Sequence, residues 1–332
     1  MKSVILPAYN KNILRALLSL QVSEKEIPQP ADGEVLVKMH AASCNPSDIA
    51  FIQGGYNIVK TLPAVPGFEG SGHVIEAGKN AKEFIGKNIS CFVQEDADGT
   101  WCEFFVTKKE NVIVLEDAMD LDQAACFMVN PFTAFGLIEI AEKNKSRAII
   151  QNASGGQVAQ FVRKLAAEKN IAVIDIVRKK ETAELLKAQG CRHVLYENSE
   201  DFEKDLFEIS SKLKPSTAFD AVGGELSGKI FNVMKGPAAM VVYGSLSGKK
   251  LAEIGFMDLI FKEKIITGFN LISWKEKLEP GVFELISKLL QEKFISGEFR
   301  TQIQEIISLE NVVQGLKKYI GNMSGGKVLL KP

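Results

Sequence analysis

Along the first third of the chain, short apolar–polar alternations are broken by turn residues. Glu34 to His40 (Glu-Val-Leu-Val-Lys-Met-His) alternates as a half-buried strand should. Gly72 to Ala77 and Ile89 to Val93 predict further short strands, and Leu62 to Gly72 is dense in Pro and Gly. Helical periodicity is sparse here, so this stretch predicts a compact β-rich domain.

The period then changes. Asp120 to Met128 and Pro131 to Glu142 predict helices. Arg147 to Gln151 is a short apolar strand followed at once by a glycine pair. Helical spacing over Val158 to Lys169 leads to a second strand, Ile171 to Val177. Lys180 to Gln189 predicts a helix capped by Gly190, and His193 to Tyr196 a third strand. A helix over Asp201 to Leu213 precedes strands at Ala218 to Val222 and Ala239 to Tyr243. Short apolar strands alternating with helices predict the α/β class, with a parallel sheet covered on both faces. The last segment is mixed: helices over Pro280 to Glu292 and Ser308 to Lys318, then a strand at Gly326 to Leu330.

Composition narrows the function classes. At 332 residues the chain is long enough for two domains. Lys plus Arg is 40 and Asp plus Glu is 41, which gives no electrostatic reason to expect nucleic acid or an anionic membrane. No apolar stretch approaches the ~18 residues of a membrane helix, and Met1 to Pro7 lacks the order of a secretory signal. A cytoplasmic protein is expected. Five widely spaced cysteines, without a C-x-x-C pair, and three scattered histidines predict free thiols and no metal cluster.

The clearest chemistry follows the strand at Arg147 to Gln151. Asn152-Ala153-Ser154-Gly155-Gly156-Gln157-Val158-Ala159 is a tight turn of small residues that opens a helix. Such a turn lets backbone N–H groups and the helix dipole meet a pyrophosphate. Ser154 and Ala159 stand where a strict G-x-G-x-x-G has its first and third glycines. An acid at the end of the second strand would bind the ribose hydroxyls of NAD, and Asp175 is near that spacing. The strand nevertheless continues to Val177 and meets Arg178-Lys179-Lys180. Three cations at the tip suit a 2′-phosphate, favouring NADPH over NADH; the same run also reads as a solvated, basic helix start.

These features, with Gly67-Phe68-Glu69-Gly70-Ser71-Gly72 and Asn130-Pro131-Phe132-Thr133-Ala134, resemble the medium-chain dehydrogenase/reductase superfamily over nearly the full chain. The resemblance implies a GroES-like β-rich catalytic domain at 1–122, a doubly wound Rossmann domain at 123–267, and a return segment at 268–332 that completes the first domain. Zinc enzymes of the superfamily carry a Cys where this chain has Asn45 and a His where it has Phe68. Phe has no donor atom and an Asn amide is a poor zinc ligand, so a zinc-independent member is expected.

Within that branch the chain is most similar to the NADPH-dependent 2-enoyl thioester reductases. The stretches that carry this include Asn45-Pro46-Ser47-Asp48-Ile49, Ile52-Gln53-Gly54-Gly55-Tyr56, Gly99-Thr100-Trp101, Ala221-Val222-Gly223-Gly224 and Leu259-Ile260-Phe261-Lys262. The resemblance makes Tyr56 the catalytic residue. It places cofactor contacts at Asn45, Asn130, Thr133, Gly155, Gly156, Gln157, Val158, Arg178, Lys179, Lys180, Tyr243, Gly244, Ser245, Leu246, Phe269, Asn270, Leu271 and Lys327. The turn departs from that family, which has an Asn and a Ser at positions 155 and 156 and a Gly at position 157. Read without the family, Tyr56 is a loop aromatic over the core.

The expected activity is reduction of an activated C=C bond, with a small-molecule enoyl thioester as substrate. A quinone or enone reductase of the same superfamily is the nearest alternative, and a non-catalytic NADPH-binding protein is one of another class. The resemblance also implies a homodimer, its sheets joined through the strand near Lys264 to Phe269.

Overall fold

The computed structural model describes residues 1–332. Two compact units divide them: residues 1–130 with 279–332, and residues 131–278. The boundaries read from sequence, after 122 and after 267, fall eight and eleven residues upstream of these.

In chain order the strands are β1 (Lys2–Ile5), β2 (Gln21–Glu24), β3 (Glu34–Ser43), β4 (Glu69–Ala77), β5 (Asn88–Phe92), β6 (Phe104–Lys108) and β7 (Val112–Val114). They continue as β8 (Ala148–Gln151), β9 (Ala172–Val177), β10 (His193–Tyr196), β11 (Thr217–Asp220), β12 (Ala238–Val242) and β13 (Lys264–Gly268), then β14 (Ile303–Ser308) and β15 (Lys327–Lys331).

The first unit holds a seven-stranded sheet in the order β14-β15-β3-β4-β5-β7, with β6 also paired to β3. The core of this unit buries Phe51, Phe68, Trp101 and Phe105 almost completely. Side chains of this size each contribute about 2–3 kcal/mol of burial. Two short helices, Ile13–Ser19 and Pro46–Ile52, stand where the sequence showed no clear helical period. Seven residues are too few to display an apolar stripe, and packing rather than propensity holds such helices. The return segment docks through β15, antiparallel to β3 with Leu330 opposite Ala42. This pairing brings Lys327 beside Asn45, across most of the chain length.

The second unit is a six-stranded parallel sheet in the order β10-β9-β8-β11-β12-β13. The order reverses between β8 and β11, the switch point of a doubly wound sheet. Helices Gln157–Glu168, Lys180–Ala188 and Phe202–Leu213 lie where periodicity placed them, to within two residues. Helices Glu225–Val233, Phe256–Phe261 and Leu271–Glu276, and strand β14, were not anticipated.

Candidate active site and cofactor site

The parallel sheet puts the ends of all its strands on one edge. The proposed contacts in this unit fall at that edge: the turn 155–158 after β8, Arg178 to Lys180 after β9, Tyr243 to Leu246 after β12, and Phe269 to Leu271 after β13. Ligands of open α/β sheets bind outside these carboxyl ends.

The turn after β8 is held from behind. Ser154 donates its hydroxyl to the Gln151 carbonyl and accepts the Ile176 N–H, at 3.0 and 3.1 Å. Arg163 Nη1 donates to the Ser154 carbonyl at 2.8 Å and to Asp175 Oδ1 at 2.9 Å. Gln151 Nε2 donates to the same carboxylate oxygen at 2.7 Å. Asp175 is 1% exposed. It braces the turn and does not face the edge where a ribose would lie. On the other side, Asn152 donates to Asp220 Oδ1 at 2.6 Å and accepts the Ala221 N–H at 2.8 Å. Asp220 in turn accepts the N–H groups of Val222 and Gly223. One asparagine therefore ties together the two loops that flank the switch point.

Gly155, Gly156, Gln157 and Val158 stay partly open to solvent. Gly156 is the N-cap of the following helix and no side chain caps it. Orphan N–H groups at such a terminus are ready donors for a phosphate. A Cβ on Gly156 would lie 3.2 Å from the Ala153 carbonyl, so a larger residue would crowd the turn. Beyond β9, Arg178, Lys179 and Lys180 are exposed, and Lys179 is the uncapped N-cap of the next helix. Cations at a helix N-terminus oppose its dipole, an arrangement that favours a bound anion.

Asn130 and Thr133 are both 7% exposed. The Nδ2 group of Asn130 is buried without a hydrogen-bond partner. A buried amide left unpaired costs free energy that a bound carbonyl or hydroxyl would recover. The uncapped turn and the strand-end loops of the second unit fit a dinucleotide.

In the first unit, Tyr56 follows a helix stopped by Gly54, whose φ of +70° favours glycine. The ring stacks against Phe68 with centroids 5.5 Å apart. Gln94 Nε2 donates to the phenol oxygen at 2.8 Å. With its oxygen accepting from Gln94, the phenol keeps its own proton to give elsewhere. Burial raises its pKa, which Gln94 opposes and Asp48 assists, so the hydroxyl is protonated at neutral pH.

Asn45, in the same unit, is 2% exposed. Its Nδ2 donates to Ser43 Oγ at 3.2 Å and to Glu69 Oε2 at 2.9 Å, while its Oδ1 accepts from buried Lys327. Glu69 also accepts from Ser43 Oγ and the Val129 N–H. Asp48 accepts the N–H groups of Asn45 and Phe68, which favours its ionised form, yet burial pushes its carboxyl up to about 7. Glu69, Asp48 and Gln94 carry no role in the sequence reading. The Asn45-x-x-Asp48 spacing, that of a capping box, was an available signal for Asp48 alone.

The zinc position is tested by the same atoms. Phe68 is fully buried in the aromatic core, and the Asn45 carbonyl faces an ammonium group. No group of three or more His, Cys, Asp or Glu side chains is placed to hold a metal ion. These residues do not fit zinc.

Comparison with known proteins agrees with this architecture. The alcohol dehydrogenase GroES-like domain family matches residues 31–117, and the zinc-binding dehydrogenase family matches residues 158–288. A mitochondrial enoyl-[acyl-carrier-protein] reductase of Xenopus tropicalis is 34% identical over 281 residues, covering 82% of this chain and 79% of that protein. The chain belongs to the medium-chain dehydrogenase/reductase superfamily. Among solved structures, a protein named as an NADPH:quinone reductase, from Mesorhizobium loti, superposes with a TM-score of 0.94 at 30% identity, covering 100% of this chain and 98% of that one. A mitochondrial 2-enoyl thioester reductase heterodimer from Candida tropicalis gives 0.83 at 22% identity, with 100% and 99% coverage, and shows the shared fold. As a member of this superfamily the chain is an oxidoreductase that uses a nicotinamide dinucleotide.

Proposed function

We propose that this oxidoreductase is zinc-independent, prefers NADPH, and reduces the C=C bond of a 2-enoyl thioester carried on CoA or acyl carrier protein. The observation that carries the reading is Tyr56, a half-buried phenol oriented by Gln94 with its proton unengaged. The 34% identity to an enoyl reductase supports the substrate class.

A reduced nicotinamide, when bound, would supply a hydride for the substrate β-carbon. Negative charge then develops on the thioester carbonyl oxygen. In the absence of a metal, a positioned hydrogen-bond donor must meet that charge, and Tyr56 can do so or deliver the α-carbon proton. Asn130 offers a donor to the nucleotide, and Arg178 with Lys179 and Lys180 meets the 2′-phosphate. Within the first unit Glu69 holds Asn45, and Asn45 in turn accepts from buried Lys327.

The likeness to an NADPH:quinone reductase at 30% identity supports a second reading, reduction of a quinone or enone at the same site. Oxidation of NADPH is followed with a short trans-2-enoyl-CoA and with a simple quinone. Turnover on the enoyl thioester supports the first reading; turnover on the quinone alone replaces it with the second, and binding without turnover on either refutes both.

A homodimer and a cytoplasmic location belong to this reading. Strand β13 is an open sheet edge, and Ile265 on it is 56% exposed. On the preceding helix, Phe256, Ile260 and Phe261 are more than half exposed. An apolar, unguarded edge favours pairing with a two-fold-related copy. All five cysteines are free thiols, as suits a reducing compartment.

A further inference from the structure

The edge that receives the 2′-position of the ribose carries an acid as well as a base. Strand β9 ends at Val177, in register with Tyr196 of β10. Beyond the two tips the chains are tied together: the Glu197 N–H donates to the Val177 carbonyl at 3.0 Å, and Asn198 Nδ2 donates to the Arg178 carbonyl at 3.2 Å. Glu197 is thus fixed beside Arg178. Its half-buried carboxylate makes no direct hydrogen bond or ion pair. Burial raises its pKa, while Arg178 and Lys229 draw it down. The neighbouring Lys229 is already paired with Glu203 at 2.7 Å. Asp175, the acid of the second strand, is locked to Arg163 behind the turn.

We infer that Glu197 sets the cofactor discrimination of this site, accepting from the ribose hydroxyls of NADH and opposing the 2′-phosphate of NADPH at Arg178. A carboxylate is an acceptor only, so it matches a ribose diol and repels a phosphate. Arg178 does the reverse. With the two side by side, each nucleotide finds one favourable partner, and the preference for NADPH is held below what Arg178 alone would give. Discrimination by a repulsive group is a difference of affinities that one isosteric change can shift.

The inference rests on the assignment of Arg178 to the 2′-phosphate, and the test separates the two. Dissociation constants for NADPH and NADH are measured by fluorescence titration at one fixed ionic strength for the wild-type chain, Glu197→Gln, Arg178→Ala and the double variant. Glu197→Gln is expected to tighten NADPH relative to NADH by about fivefold, as for removal of a like charge near a partly screened phosphate. That gain is expected to shrink in the Arg178→Ala background, where the phosphate is no longer drawn to the tip. An unchanged NADPH-to-NADH ratio in Glu197→Gln, with NADPH weakened in Arg178→Ala, overturns the role of Glu197 alone. If Arg178→Ala leaves NADPH affinity intact, the underlying assignment falls and the inference with it.

Discussion

Arg163 and Asp175 form an ion pair behind the nucleotide turn, 2.9 Å apart, with the carboxylate 1% exposed and the guanidinium side chain 16% exposed. The same guanidinium holds the Ser154 carbonyl, so the pair links strand β9 to the turn after β8. Asp175→Asn is therefore expected to weaken NADPH and NADH by the same factor and to cost about 1–3 kcal/mol of stability. Titration with both nucleotides, together with urea unfolding, checks this. A loss confined to NADH would return Asp175 to the ribose.

Tyr56→Phe keeps the ring on Phe68 and removes only the hydroxyl. Enoyl reduction is expected to fall by about tenfold or more while NADPH affinity is unchanged, the pattern of a donor acting in the transition state. Steady-state rates and a cofactor titration on one preparation decide it. Undiminished turnover removes Tyr56 from the mechanism.

Asp48 ties stability to pH. Burial raises its folded pKa to about 7, whereas the unfolded carboxyl sits near ~3.9. The folded chain thus holds the proton more tightly, and this group's contribution to stability falls as pH rises from about 4 to about 7, then levels off. Asp48→Asn loses an acceptor for a backbone N–H and is expected to be less stable throughout. The gap from wild type should narrow between about pH 5 and about pH 8, because the variant escapes the ionisation. Urea midpoints at the two pH values measure it, and a constant or widening gap contradicts the assignment.

The edge strand β13 and the helix before it supply the dimer test. Ile260→Asp with Ile265→Asp places charges on two side chains that are 63% and 56% exposed. If these residues join two copies, the double variant is monomeric in light scattering while its thermal unfolding shifts little. A wild-type chain that is already monomeric, or a variant still dimeric, excludes this interface.

Much of the fold was legible because its signals are local. Strand β10 matches its apolar run residue for residue, and Gly190 sits at φ +90° just past its helix, as a cap should. The expectation of a zinc-independent member was equally plain in the sequence, since it needed only the identities at Asn45 and Phe68. Helix Pro46–Ile52 carried only the capping-box spacing at its start and is too short for an apolar stripe, and strand β14 depends on its pairing with β15.

The sequence by itself determined the alternation of strands and helices from Arg147 to Tyr243, the glycine turn, the basic run at Arg178 and the phenol at Tyr56. Tertiary structure decided which groups remain available. It turned Asp175 inward to Arg163, set Gln94 on the oxygen of Tyr56, joined Lys327 to Asn45 through β15, and stood Glu197 next to Arg178. Spacing along a chain shows which side chains are near one another in an element. Only packing shows which donors and acceptors are already satisfied, and chemistry is left to those that are not.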